Sequence, residues 1–198
     1  MDSNKGFGAF WTQTKRNFSD TNGLLWALLF IFLTTFIVFP AVLEATTFKF
    51  LHGVNQEFSW FVLICSTIFN IGDTIGRKMG GVPAFFLSDA MTIILSLARV
   101  IFVVTFMMTT WQVKPDWLWD SDWFKIINQL LFSFSNGYLS TLCAIKAPGA
   151  VEGERKGQVG AFIGITISTG IMLGSLVAIP VGTFIADSPG EIDALNMG

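Results

Sequence analysis

Charge is scarce in this 198-residue chain: Lys and Arg number 12, Asp and Glu 14, and the net charge is −2. With 13% of residues charged against 52% hydrophobic, a soluble domain of this size could not cover its own apolar surface. No basic stripe is present, so nucleic acid is not an expected partner. Cysteine is limited to Cys65 and Cys143, both inside apolar runs, where small buried residues are expected rather than a disulfide. His52 is the lone histidine, which argues against a zinc site. Neither a nucleophile–base pair nor a phosphate loop is present, so no enzyme activity, cofactor or metal is expected. The N-terminal stretch is polar and aromatic and lacks a small-residue cleavage pattern, so a cleaved signal is not expected. Its Lys5, Lys15 and Arg16 leave a mitochondrial presequence open.

What the chain has instead is long apolar runs and 21 phenylalanines. A helix crosses a bilayer with about 20 apolar residues. The runs predict an all-α membrane protein with five transmembrane helices, Gly23–Leu43, Phe58–Arg77, Phe85–Thr109, Trp123–Ala144 and Gly157–Ala186. A polar arm (1–22) precedes this domain (23–186) and an acidic tail (187–198) follows it. Short connections predict antiparallel neighbours. Lys5, Lys15, Arg16, Arg77, Lys78, Lys146, Arg155 and Lys156 fall on one side, and only Lys49, Lys114 and Lys125 on the other. Basic residues concentrate inside, which puts the N-terminus inside and the C-terminus outside. Trp111, Trp117, Trp119 and Trp123 gather at the outer ends of spans three and four, as an interfacial belt would.

The stretch Ile68–Arg77, IFNIGDTIGR, is where charge enters a span. Asp73 and Arg77 are four apart and stack on one helix face, with Phe69 on the same stripe and Asn70 beside them. Ionisable groups at membrane depth turn toward a bundle interior or a water-filled cavity. The pair reads either as an internal ion pair or as part of a polar site. Arg99, in the middle of span three, needs a carboxylate, carbonyls or water, with Asp73 or Asp89 as the candidate anion. It is either a tether between spans two and three or part of a substrate path. Ser133, Ser135 and Asn136 in span four read as interhelical hydrogen-bond glue before a pathway lining, and Gly137 weakens that helix locally. Gly72/Gly76, Gly160/Gly164 and Gly170/Gly174 have the spacing that lets a second helix approach closely. Pro180 is expected to kink span five.

FNIGDTIGR at 69–77 resembles the eighth-helix signature of equilibrative nucleoside transporters, Phe-Asn-x-x-Asp-x-x-Gly-Arg. Phe134–Leu139, FSNGYL, is similar to the tenth-helix signature. Phe36–Val42 resembles the end of the seventh helix, Leu97–Phe102 the ninth, and the glycine-rich last span also fits. The resemblance runs from about Leu25 to Ala186 and implies the C-terminal five-helix half of a major-facilitator-like bundle, without the six preceding helices. It implies that Asp73 and Arg77 contact the ribose or base of a nucleoside, with Asn70 beside them. Arg99 and the Ser135–Asn136 region would support that site. A carboxylate and a guanidinium suit a sugar diol, one accepting and one donating.

Two function classes follow. A half-bundle leaves a polar face that something else must cover. On the sequence alone the preferred reading is a structural or accessory subunit among other membrane subunits, such as a mitochondrial respiratory-type assembly. The alternative is nucleoside transport by alternating access, with a separate N-terminal half or a second copy.

Overall fold

The computed structural model describes residues 3–39, 60–110, 116–119 and 121–186. The described residues form helices α1 (Ser3–Val38), α2 (Trp60–Gly80), α3 (Asp89–Ala98), α4 (Val100–Thr110), α5 (Asp116–Trp119), α6 (Asp122–Gly149) and α7 (Arg155–Ala186), with a 3-10 turn at Pro83–Phe85. No strand occurs among them. Pro40, Leu43, His52, Trp111 and the tail from 187 lie outside the described residues.

The five apolar segments are helical where described, with shifted ends. The first helix begins at Ser3, so the polar segment before Gly23 continues as helix into the apolar run. The third begins later than expected, because Val82–Ser88 is spent on the 3-10 turn and a cap. Ser88 Oγ accepts from Met91 N–H, fixing the start of α3. α3 and α4 follow one another with only Arg99 between them. α7 continues through Pro180 to Ala186.

Among the described residues, Gly8–Val38, Asp89–Thr110 and Arg155–Thr183 are long and apolar enough to cross a membrane, with mean hydropathy 2.0, 2.2 and 2.0. α2 and α6 have 21 and 28 residues, enough length to cross, but they carry the polar residues described below. Trp117 and Trp123 are 77% and 76% exposed near the start of α6, where an interfacial belt is expected.

Two close helix pairs make the bundle, and glycine makes both. On α2, Gly72, Gly76 and Gly80 face α6, where a methyl at Gly76 would fall 2.2 Å from Phe134 O. On α7, Gly170 and Gly174 face α1, and a methyl at Gly174 would meet Leu33 O at 2.7 Å. Gly160 and Gly164 share the spacing, but among the described residues nothing lies within 4 Å, so that stripe packs against none of the described helices. α1 also touches α3 and α6, which places it at the centre. One apolar cluster joins Leu24, Leu28 and Ile31 of α1 to Leu139, Cys143 and Val159. The other is built on Phe132, with Phe69, Phe102 and Phe106 centroids 5.4–6.0 Å away. Both cysteines are free and buried.

Candidate functional site

Where α2 and α6 touch most closely, the polar residues of four helical segments converge. The helical period sets Asp73 above Arg77, and Arg77 Nε donates to Asp73 Oδ2 at 2.6 Å. The pair is asymmetric: the Arg77 side chain is 50% exposed and that of Asp73 only 15%. Gly137 faces α2 so closely that an added methyl would fall 2.0 Å from Asp73 O. That approach brings the neighbouring residue of α6 within reach, and Asn136 Nδ2 donates to Asp73 Oδ1 at 2.7 Å.

Behind Asn136 lies Arg99, 1% exposed. Its Nη1 donates to Phe132 O at 3.0 Å and to Ser135 Oγ, and its Nη2 donates to Thr35 Oγ1 at 2.8 Å. Asn136 Oδ1 accepts a longer bond from Nη2 at 3.5 Å. The guanidinium carbon also sits 4.8 Å from the Phe132 ring centroid, a cation–π contact that further offsets burial of the charge. Asn136 thus turns its NH2 toward a carboxylate and its oxygen toward a guanidinium. The reversed amide would oppose like partners on both sides. Thr35 Oγ1 lies 2.7 Å from both Asn136 Oδ1 and Ile31 O, so its single hydrogen serves one of them at a time.

The structure joins Asp73, Arg77, Asn136, Arg99 and Ser135 in one hydrogen-bonded chain. Of the partners expected for Arg99, it supplies a carbonyl and two hydroxyls but neither candidate carboxylate. Among the described residues Arg99 touches no carboxylate, and Asp73 reaches it through Asn136. Asp89 is taken by Lys146 of α6, whose Nζ also donates to Leu87 O at 2.5 Å. Asn70 stays out of the network: it is exposed, and its Nδ2 bonds to Ser66 O one turn back at 2.9 Å. Phe69 packs inward between Phe39 and Phe132, at 5.6 and 6.0 Å. Two members were missed from the sequence: Thr35 and the Phe132 carbonyl. The Thr34–Thr35 pair inside an apolar run was the available signal for the first.

Comparison with known proteins identifies the setting. The family described as "Nucleoside transporter" matches residues 2–181. The chain belongs to the nucleoside transporter family. It is 30% identical over 179 residues to nucleoside transporter FUN26 of Saccharomyces cerevisiae, covering 83% of this chain and 34% of that protein. It is 28% identical over 158 residues to equilibrative nucleoside transporter 1 of Homo sapiens, covering 77% and 34%. With equilibrative nucleoside transporter 4 of Danio rerio it shares 27% over 158 residues, 77% and 30%. The chain spans about a third of the length of the relatives it matches. This nucleoside-transporter relative is an integral membrane protein by its family and its apolar helices, and its relatives are named as transporters rather than enzymes.

Proposed function

We propose that this chain forms one half of a nucleoside carrier, with Asp73 and Arg77 as its substrate-facing groups. The observation that carries the reading is the asymmetry of the pair. Arg77 is half exposed, whereas Asp73 is held from behind by Asn136. One charged donor therefore faces outward beside an anchored acceptor, an arrangement matched to the vicinal hydroxyls of ribose. Asn70, exposed one turn away, flanks the same face. Arg99, Ser135 and Asn136 support the pair without themselves meeting solvent to any extent comparable with Arg77. In this reading α2 and α6, with their polar faces turned to the cavity, are spans two and four of a five-span half-bundle, N-terminus inside and C-terminus outside. An opposing half, from further sequence or a separate chain, closes the cavity and permits alternating access.

The accessory-subunit reading is a distinct alternative, but nothing among the described residues or the relatives supports other membrane subunits, a respiratory-type complex or mitochondria. The relatives are named as transporters.

The test is thermal melting of the protein extracted in mild detergent from its own membrane, with and without nucleoside. Binding to the folded state raises the melting temperature. Nucleoside should raise it for the unmodified protein and not for Asp73→Asn or Arg77→Lys. Recovery only within a large multi-subunit complex, with no nucleoside effect, would support the accessory reading instead.

A further inference from the structure

Asp73 is one carboxylate among two guanidiniums. Arg77 contacts it directly from the same helix. Arg99 approaches from the opposite side, with only the Asn136 amide between them. Asp89, the other carboxylate considered for Arg99, is engaged with Lys146. The two arginines also differ in freedom. Arg77 is 50% exposed on its side chain. Arg99 is fixed by Phe132 O, Ser135 Oγ, Thr35 Oγ1 and the face of the Phe132 ring.

We propose that Arg99, relayed through Asn136, is the standing counter-charge of Asp73, so that Arg77 is free to exchange from Asp73 to a ligand oxygen. This deepens the nucleoside-binding reading and rests on it for the identity of that ligand. A carboxylate with only Arg77 as partner would be left uncompensated in a poorly hydrated place whenever Arg77 moved, and breaking such a pair is strongly unfavourable. With Arg99 behind it, Asp73 keeps a positive charge nearby and a hydrogen bond on Oδ1 throughout. Asn136 suits the relay because an amide polarises in line between the two charges without adding one. Arg99 and Asn136 are then positioning residues, and Arg77 is the group that meets the ligand. Thr35 adds α1 to the same lock, since its hydroxyl accepts from Arg99 Nη2.

A double-mutant cycle on the purified protein tests this without any ligand. The melting temperature is measured for Arg77→Gln, for Arg99→Gln, for both together, and for the same set carrying Asp73→Asn. The proposal expects Arg77→Gln alone to melt within about 2 °C of the unmodified protein, because Arg99 still balances Asp73. The double variant should fall at least about 4 °C further than the sum of the single losses. That excess should vanish when Asp73 is Asn. Additive losses, or an excess that persists with Asp73→Asn, would overturn the proposal, since a merely structural Arg99 would not sense the charge at position 73. If Arg99→Gln does not fold, Asn136→Ala interrupts the relay with Arg99 in place, and the same excess with Arg77→Gln is expected. Failure to bind nucleoside would refute the ligand assignment separately, leaving the outcome of the cycle unchanged.

Discussion

Gly137→Ala is the sharpest perturbation the structure offers, because a single methyl would strike backbone. The added carbon would lie 2.0 Å from Asp73 O, 2.8 Å from Asp73 C and 2.9 Å from Arg77 N, where ordinary contact begins at 3.4 Å. No rotamer change relieves a clash with main chain, so α2 and α6 must separate by well over an ångström there. The same displacement would part Asn136 Nδ2 from Asp73 Oδ1, now 2.7 Å apart. Overpacking costs about 1–3 kcal/mol. Alanine returns up to about 1 kcal/mol in helix propensity. A backbone clash sits at the upper end of the first range, so a net loss of about 2 kcal/mol is expected, roughly a thirtyfold change in the folding equilibrium. Gly160→Ala is the internal control, since none of the described residues outside its own helix backbone lies within 4 Å of that position. It should leave the melting temperature unchanged or raise it slightly. The assay is thermal melting in detergent, with nucleoside binding measured in parallel. If Gly137→Ala melted at or above the unmodified protein and bound nucleoside equally well, the close-approach reasoning would fail.

Gly174→Ala should likewise lower the melting temperature, because its methyl would meet Leu33 O at 2.7 Å and Phe36 Cβ at 2.8 Å; unchanged melting would show that α1 and α7 are not locked there. Asn136→Leu should cost about 1–3 kcal/mol, since it strips Asp73 Oδ1 of a donor and places an apolar group against two charges; a denaturant titration reads the loss. Lys146→Met should cost less than about 1 kcal/mol, because its partner Asp89 is 63% exposed and water replaces the ion pair; a larger loss would give that pair a structural weight the geometry does not.

The sequence was most informative wherever a relation lay within one helix. The four-residue spacing of Asp73 and Arg77 gave their contact, and the glycine spacing of α2 gave a close-packed face. Relations between helices were another matter, because the helical period says nothing of how neighbouring helices are rotated. Asp89 therefore looked available to Arg99, although the turn at Val82–Ser88 carries it to Lys146 instead. Gly160/Gly164 and Gly170/Gly174 are indistinguishable as patterns, yet among the described residues only the second pair meets a partner. Gly137 looked like a weak point in α6, whereas its missing side chain is what admits Asp73. The Phe132 carbonyl could not be foreseen at all, since every residue has one. Its availability to Arg99 depends on the packing around it.

The most direct test of the central claim is equilibrium binding of a labelled ribonucleoside to the protein in native-membrane extracts, compared with its 2′,3′-dideoxy analogue. Hydrogen bonds to charged groups are worth about 1.5–3 kcal/mol. If Asp73 and Arg77 meet the ribose hydroxyls, the ribonucleoside should bind at least about tenfold tighter, and Arg77→Lys should remove most of that preference. Equal binding of the two compounds, or no binding of either, would contradict the account.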